Sequence, residues 1–362
     1  MLAESKQLRY RAAIIGIGRA QPSNIKGGGD AIGYTHAAMF QRQPRTALIA
    51  AADIDADNLQ AFQLQFDLSH GFRDYHTMLR DMHPDVVSIC TYVGLHHSMI
   101  KAAAYAGAKG IICEKPFLVS PAELAAVRQI AAETGVKVVV AHTRRYLPVF
   151  ERARELYNAG AVSEPILCFS GLQGWDLSEM GSHWIDLFRF FHADRPIRWV
   201  VGQARVRDTR GYGHAMEDHA VAYFEFDGGG RAMLDGGQAF NGQPDKILVG
   251  THGIIRLDDQ THTLTFETAG HSREESFADH PRSSWEATWD GLLDDVLAWL
   301  DGGRESRCGL TSGSLTCEVS LAAYLSALSG DRLDLPLDGN DPAWPDEWPV
   351  EVLARRWSRR QH

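Results

Sequence analysis

The chain has 362 residues, 44% of them hydrophobic and 23% charged, an ordinary globular composition at a length beyond one core, which predicts two domains. Its formal net charge of -10 gives no electrostatic reason to expect nucleic acid or an anionic membrane surface, and the one basic cluster, Arg355-Arg356-Trp357-Ser358-Arg359-Arg360, lies in the tail. Five cysteines form no CxxC pair, no run is long enough to span a bilayer, and no separate apolar leader precedes Ala12-Ala13-Ile14-Ile15, so a reducing cytoplasm is the expected location.

Arg11 to Ile17 reads as a buried strand running into Gly16-Ile17-Gly18, the start of a dinucleotide fingerprint. The third glycine is late. A stretch from Arg19 to Ile32, containing Gly27-Gly28-Gly29, intervenes before Gly33-Tyr34-Thr35-His36 opens a helix. The pattern reads as G-x-G, an inserted mobile flap, and a helix whose first amides hold a pyrophosphate. Thr46 to Ala52 is a second strand. Asp53 closes it where a Rossmann unit carries the acid for the adenosine ribose; the competing reading, a helix N-cap, is already met by Asp55 or Asp57 before the helix Asn58 to Phe66.

Asp85 to Cys90, Gly110 to Cys113 and Val136 to Ala141 are further strands. Between them lie a helix from Ser98 to Tyr105 and one that Ser120-Pro121-Ala122-Glu123 opens as a capping box. Strand and helix alternating this regularly predict a parallel sheet covered on both faces. Ile111-Ile112-Cys113 delivers Glu114-Lys115-Pro116 at a strand's carboxyl end, where open α/β sheets bind ligands. A lysine fixed there can aim its ammonium at a substrate oxygen, against the competing reading of an ordinary loop lysine.

After His142-Thr143-Arg144-Arg145-Tyr146 the pattern changes to a helix, Glu151 to Asn158, and a strand, Ile166 to Ser170. Trp184, Leu187, Phe188 and Phe191 recur at helical spacing as a core stripe. His183 and Asp186 share a different face, with Glu179 a turn back if the helix extends that far. The three residues admit an acid/base reading, a structural hydrogen-bonded pair, or metal ligands; no metal is expected, because a lysine-based site needs no Lewis acid. From Trp199 to about Thr268 strands follow too closely to be parallel, with Asp227-Gly228-Gly229-Gly230 a hairpin turn, which predicts a second, largely antiparallel sheet. Two helices follow, and the tail from Asp338 is expected to pack without regular structure. The predicted divisions are 1–144, 145–337 and 338–362.

Gly16-x-Gly18, Asp53, Glu114-Lys115-Pro116, Arg144-Arg145-Tyr146, His183-x-x-Asp186, Gly250-Thr251-His252-Gly253 and Leu335-Pro336-Leu337 stand in one order from Arg11 to Leu337. In this the chain resembles the Gfo/Idh/MocA oxidoreductases, the family of glucose-fructose oxidoreductase and inositol 2-dehydrogenase. The resemblance implies an α/β protein: an N-terminal Rossmann domain, and a C-terminal α+β domain with an open, mostly antiparallel sheet through which a dimer or tetramer forms. It implies NAD, held by Gly16, Gly18, Gly33, His36, Asp53, Thr91, His96, Glu114 and Lys115. It makes Lys115 the group that polarises a substrate hydroxyl and His183 the base that takes its proton, with Glu179 and Asp186 beside them and Arg145 and Tyr146 on the substrate.

Three departures stand out. Glu179 occupies a position where many relatives carry Asp, the usual Thr-Pro-Asn appears as Thr91-Tyr92-Val93-Gly94 with His96 where the family often has a histidine, and the insert is additional. The implied function is NAD-dependent hydride transfer to or from a secondary hydroxyl or ketone of a sugar, cyclitol or sugar derivative. The alternatives are a glycosidase that oxidises transiently and returns its hydride, and a non-catalytic NAD(H) sensor, against which the presence of both Lys115 and His183 argues.

Overall fold

The computed structural model describes residues 10–18, 32–207, 209–211, 214–240, 242 and 245–358. The expected flap lies outside them except for Ile32. The chain forms two compact units: Met1–Glu114, Ala126–Ala141 and Trp289–Leu310 make the first, and Lys115–Ala125, His142–Thr288 and Thr311–His362 the second. The boundary expected at residue 144 is thus replaced by an interleaved one. Trp289–Leu310 joins the first unit through pairings remote in sequence: Tyr10 Oη donates to Asp301 at 2.7 Å, the Cys308 carbonyl accepts from Val140 N at 2.9 Å, and the Trp289 ring lies 4.5 Å from that of His36.

In the first unit β1 (Tyr10–Ile15), α1 (Ile32–Arg42), β2 (Thr46–Ala52), α2 (Ala56–Phe66), β3 (Gly71–Phe72), α3 (Tyr75–Met82), β4 (Val86–Ile89), α4 (His96–Tyr105), β5 (Gly110–Cys113), α5 (Pro121–Thr134) and β6 (Lys137–Val140) follow in order, α5 running across the division between the units. The sheet order is β3-β2-β1-β4-β5-β6, every pairing parallel, the doubly wound order with its switch point at β1 and β4. β3 has two residues, too few for a periodic signal. Asp55 caps α2, accepting from Asp57 N at 2.9 Å and Asn58 N at 3.0 Å, which leaves Asp53 free of that duty. In the capping box Ser120 accepts from Glu123 N at 3.2 Å, and the Glu123 carboxylate reaches Val119 N at 3.1 Å.

The second unit contains α6 (Pro148–Asn158), β7 (Pro165–Gln173), α7 (Gly181–Phe191), β8 (Ile197–Arg205), β9 (Thr209–Gly211), β10 (His214–Met216), β11 (His219–Phe226), β12 (Arg231–Gly237), β13 (Lys246–Gly250), β14 (Gly253–Asp258), β15 (Thr263–Thr268) and β16 (His271–Ser276). After them come α8 (Trp285–Leu300), α9 (Leu310–Ser329), β17 (Leu333–Asp334) and α10 (Pro349–Ser358), of which α8 crosses into the first unit at Trp289. Among the described residues a nine-stranded sheet runs β16-β15-β14-β13-β7-β12-β11-β8-β17, with β7 and β12 parallel and the other pairings antiparallel. The hairpin turn is as expected: Phe226 N donates to the Gly230 carbonyl at 2.7 Å while Gly228 and Gly229 take φ of +93° and +89°. Helix α9 is buried along most of its length, and Gly202 of β8 meets it so closely that a Cβ there would lie 2.0 Å from the Ala323 carbonyl oxygen.

The tail departs from expectation. Its Pro, Asp and Trp content suggests irregular chain, yet α10 forms, buries Val350 and Ala354 one turn apart, and packs on β10 and β8. A ten-residue amphipathic pattern gains its stability from that surface and not from propensity.

Candidate active site

The first unit builds a dinucleotide cradle at the carboxyl ends of its central strands. Gly16 and Gly18 have φ of +79° and +67°, and a Cβ on Gly16 would lie 2.4 Å from Thr91 Cγ2. On Gly33 it would lie 2.7 Å from Ile17 Cα, so the late glycine does what a third fingerprint glycine does, letting helix and strand touch. Asp53 stands at the end of β2, where its Oδ2 accepts from Ile17 N at 2.9 Å and its Oδ1 from Asp55 N at 2.8 Å. The carboxylate therefore shapes the glycine turn itself.

His36 and His96, expected as cofactor contacts, are 0% exposed and support the cradle from behind. His36 spans Ser88 Oγ at 2.9 Å and Glu114 Oε1 at 3.0 Å, tying α1 to the β4 strand and the end of β5. His96 Nε2 lies 2.9 Å from the Thr91 carbonyl, bracing the turn after β4. The positive φ of Gly16 and Gly18, the close approach of Gly33 to the Ile17 main chain and the acid at the end of β2 fit a dinucleotide.

The second unit opens with Lys115, whose peptide to Pro116 is cis. Its Nζ lies 2.8 Å from Glu179 Oε2. Helix α7 begins only at Gly181, so Glu179 is in the turn before it and not on the helix face that its spacing allowed; the Asp176 carboxylate holds that turn by accepting Glu179 N at 2.8 Å. The other Glu179 oxygen lies 3.3 Å from His214 Nε2. Burial acts to raise the Glu179 carboxyl, but the Lys115 charge and the His214 hydrogen bond outweigh it and hold it below its usual range. Burial likewise opposes charge on His214, and Glu179 overcomes it, so this imidazole is raised. Behind them burial, then the charges of Glu217 and Glu179, push Asp176 up to about 8, and burial raises Glu217, which accepts from Tyr324 Oη at 2.7 Å.

His183 lies on α7, half-buried, with its ring 5.8 Å from that of His142, and its Nδ1 has no hydrogen-bond partner among the described residues. Burial first, then the charges of Lys115 and Arg144, hold it well below its ordinary range, so it is a neutral imidazole. His142 is pushed down to about 4 by burial. It shares with Pro116, Ser178, Ser182, Thr316 and Tyr324 the wall of a small pocket.

Asp186 does not pair with His183. Its Oδ2 accepts from Arg145 Nε at 2.6 Å, its Oδ1 from Thr316 Oγ1 at 3.2 Å, and His142 Nδ1 lies 3.6 Å away. Arg145 and Tyr146, expected on the substrate, are 1% and 2% exposed; the short turn after β6 sends both inward and leaves Arg144 partly exposed beside Asp259, at 2.5 Å. The three residues of the metal-ligand reading do not converge: Glu179 turns to Lys115 and Asp186 to Arg145. Sequence reasoning missed His214, Asp176, Glu217 and Tyr324. Asp176 sits three residues before Glu179 in sequence, whereas nothing local marks the other three.

Residues 10–142 match the family described as "Oxidoreductase family, NAD-binding Rossmann fold", and residues 170–256 match the GFO/IDH/MocA C-terminal domain. The chain belongs to the Gfo/Idh/MocA oxidoreductases: it is an NAD-binding enzyme of the dehydrogenase class acting on CH-OH groups. It is 24% identical to a D-apiose dehydrogenase of Paraburkholderia graminis over 365 aligned positions, covering 92% of each chain. It is 26% identical to scyllo-inositol 2-dehydrogenase (NAD(+)) of Bacillus subtilis over 271, covering 70% of this chain and 75% of the other. Its fold is that of levoglucosan dehydrogenase in complex with NADH and levoglucosan, with a TM-score of 0.76 at 17% identity over 91% of this chain and 100% of that one. Among the described residues no helix is long and apolar enough to cross a membrane.

Proposed function

We propose that this protein oxidises a secondary hydroxyl of a sugar, cyclitol or sugar derivative, or reduces the corresponding ketone, with Lys115 and His183 handling the proton. One observation carries the assignment: an ammonium anchored by Glu179 at 2.8 Å and a neutral imidazole whose Nδ1 has no hydrogen-bond partner among the described residues belong to the same unit. Lys115 donates to the substrate oxygen and stabilises negative charge as it develops there. His183 accepts the hydroxyl proton; the cations that depress its basicity also favour release of that proton once the oxidation is complete. NAD, when bound, supplies the hydride acceptor. Gly16, Gly18, Gly33 and Asp53 hold it, and the names of the relatives support a carbohydrate or cyclitol as the partner.

A screen of free sugars, sugar acids, inositols and aryl glycosides at the NADH absorbance tests this. Stoichiometric NADH from a free polyol is the expected result. Hydrolysis of a glycoside, with solvent deuterium entering the sugar and no accumulated NADH, would replace the reading with that of a hydride-returning glycosidase.

The same proposal includes assembly of identical copies through the nine-stranded sheet. Val201, Tyr223, Met233, Phe169 and Ile247 stand side by side on adjacent strands, half-buried or exposed, on the face opposite Ala222 and Phe224. A self-complementary apolar stripe suits a two-fold contact. Light scattering should give a multiple of the chain mass, and Tyr223→Lys with Met233→Glu should give a single chain. We also assign the protein to the cytoplasm, where its five free cysteines, four of them buried, stay reduced.

A further inference from the structure

We infer that His214 is a positioning residue for Lys115, acting through Glu179, and that the C-terminal helix holds His214 in place to do so. The inference rests on the role given to Lys115 above.

His214 Nδ1 lies 2.9 Å from the Ala215 carbonyl, an acceptor only, so Nδ1 carries a proton. Its Nε2 then faces a carboxylate oxygen of Glu179 at 3.3 Å, and a neutral ring would set lone pair against lone pair. A second proton on the ring resolves this, giving a line of alternating charge: Lys115 ammonium, Glu179 carboxylate, His214 imidazolium. The purpose is visible at Glu179. One oxygen is on Lys115 at 2.8 Å, and without a donor for the other the carboxylate would be free to turn, or to take up a proton beside the buried acids Asp176 and Glu217. His214 supplies that donor and fixes both the orientation and the charge of the group that aims Lys115.

The C-terminal segment contacts β10 at the imidazole and at the backbone amide that follows it. The Trp348 ring lies 4.4 Å from the His214 ring, and Glu351 Oε1 accepts from Ala215 N at 2.7 Å. The charged and titratable groups around His214 include Glu179 and Asp176 from the turn before α7 and Glu217 from the strand connection behind it, with Glu351 of α10 on the neighbouring Ala215 amide.

The test uses the full chain labelled with 13C and 15N at histidine, titrated by NMR from about pH 5 to 9, with the His214 resonance assigned by its absence in His214→Gln. His214 should titrate above the ordinary histidine range, Glu179→Gln should lower its midpoint by about one unit or more, and Glu351→Gln by less. In parallel, acetylation of Lys115 by acetic anhydride, read by mass spectrometry, should be several-fold faster in His214→Ala than in wild type. It should return toward wild type in His214→Gln, whose amide keeps a donor. A His214 midpoint at or below the ordinary value and unmoved by Glu179→Gln, or identical Lys115 labelling in wild type and His214→Ala, would overturn the inference. None of these measurements requires turnover, so a failure of the dehydrogenase assignment in the substrate screen is seen separately.

Discussion

Arg145 Nε donates to Asp186 Oδ2 at 2.6 Å with both side chains about fully buried, and the same guanidinium reaches Asp194 Oδ1 at 2.8 Å. The arginine that family resemblance put on the substrate is instead the keystone of a core ion network beneath α7. Removing one partner of such a pair leaves a buried charge uncompensated, which costs about 3 to 5 kcal/mol. Arg145→Met should therefore lower the urea midpoint and the melting temperature sharply, while KM of whatever protein remains folded stays near wild type. A raised KM with unchanged stability would return Arg145 to the substrate.

Lys115→Met and His183→Ala should each reduce turnover at least about a hundredfold, since acid/base groups act on the transition state. NAD affinity, set in the first unit by the glycine turn, should change little. Near wild-type turnover in either variant would remove that residue from the chemistry.

Asp53 is expected to set cofactor choice as well. Its carboxylate stands at the end of β2 followed by Ile54, and the nearby Arg73 guanidinium is engaged with the Ile54 carbonyl at 3.1 Å. At 4 to 5 Å and an effective dielectric near 20, repulsion amounts to about 3 kcal/mol per unit charge, roughly a hundredfold in affinity for NAD over NADP. Fluorescence titration with NADH and NADPH measures it, and Asp53→Ala should narrow the ratio. Because Asp53 also holds Ile17 N, that variant should weaken NADH binding as well.

His192, 3% exposed and stacked on Phe226 at 4.0 Å, is pushed down to about 4 by burial and then by the Arg195 charge. The unfolded chain takes up this proton near pH 6.5 and the folded chain only near 4, so its contribution to stability falls as pH drops through that window. The loss amounts to about 2 to 3 kcal/mol by pH 4.5. His192→Phe keeps the stacked ring and removes the titration. The stability difference between pH 7 and pH 4.5, from urea unfolding, should shrink by that amount relative to wild type, with the other acids common to both proteins.

Local sequence was enough wherever one short stretch decides its own conformation. β2 and β5 begin and end where their apolar runs do, Asp55 caps its helix, and the triglycine hairpin turns as its residues require. The fingerprint survives an insert because Gly33 answers to the strand it touches and not to its distance along the chain from Gly18. Glu114-Lys115-Pro116 was likewise legible, since the end of a strand in a parallel sheet is a defined place. What only the tertiary structure decided is where side chains go once elements meet. Arg144 and Arg145 are neighbours of the same type, yet one stays partly exposed beside Asp259 and the other is buried against Asp186, because the turn after β6 directs Arg145 and Tyr146 inward and Arg144 outward. His214 reaches Glu179 across 35 residues, Trp289 reaches His36 across a far longer stretch, and α10 exists because β8 and β10 offer it an apolar surface. Periodicity records which face of an element is apolar. It carries no record of which distant partner will cover that face, and that pairing determines which charges are buried and which remain for chemistry.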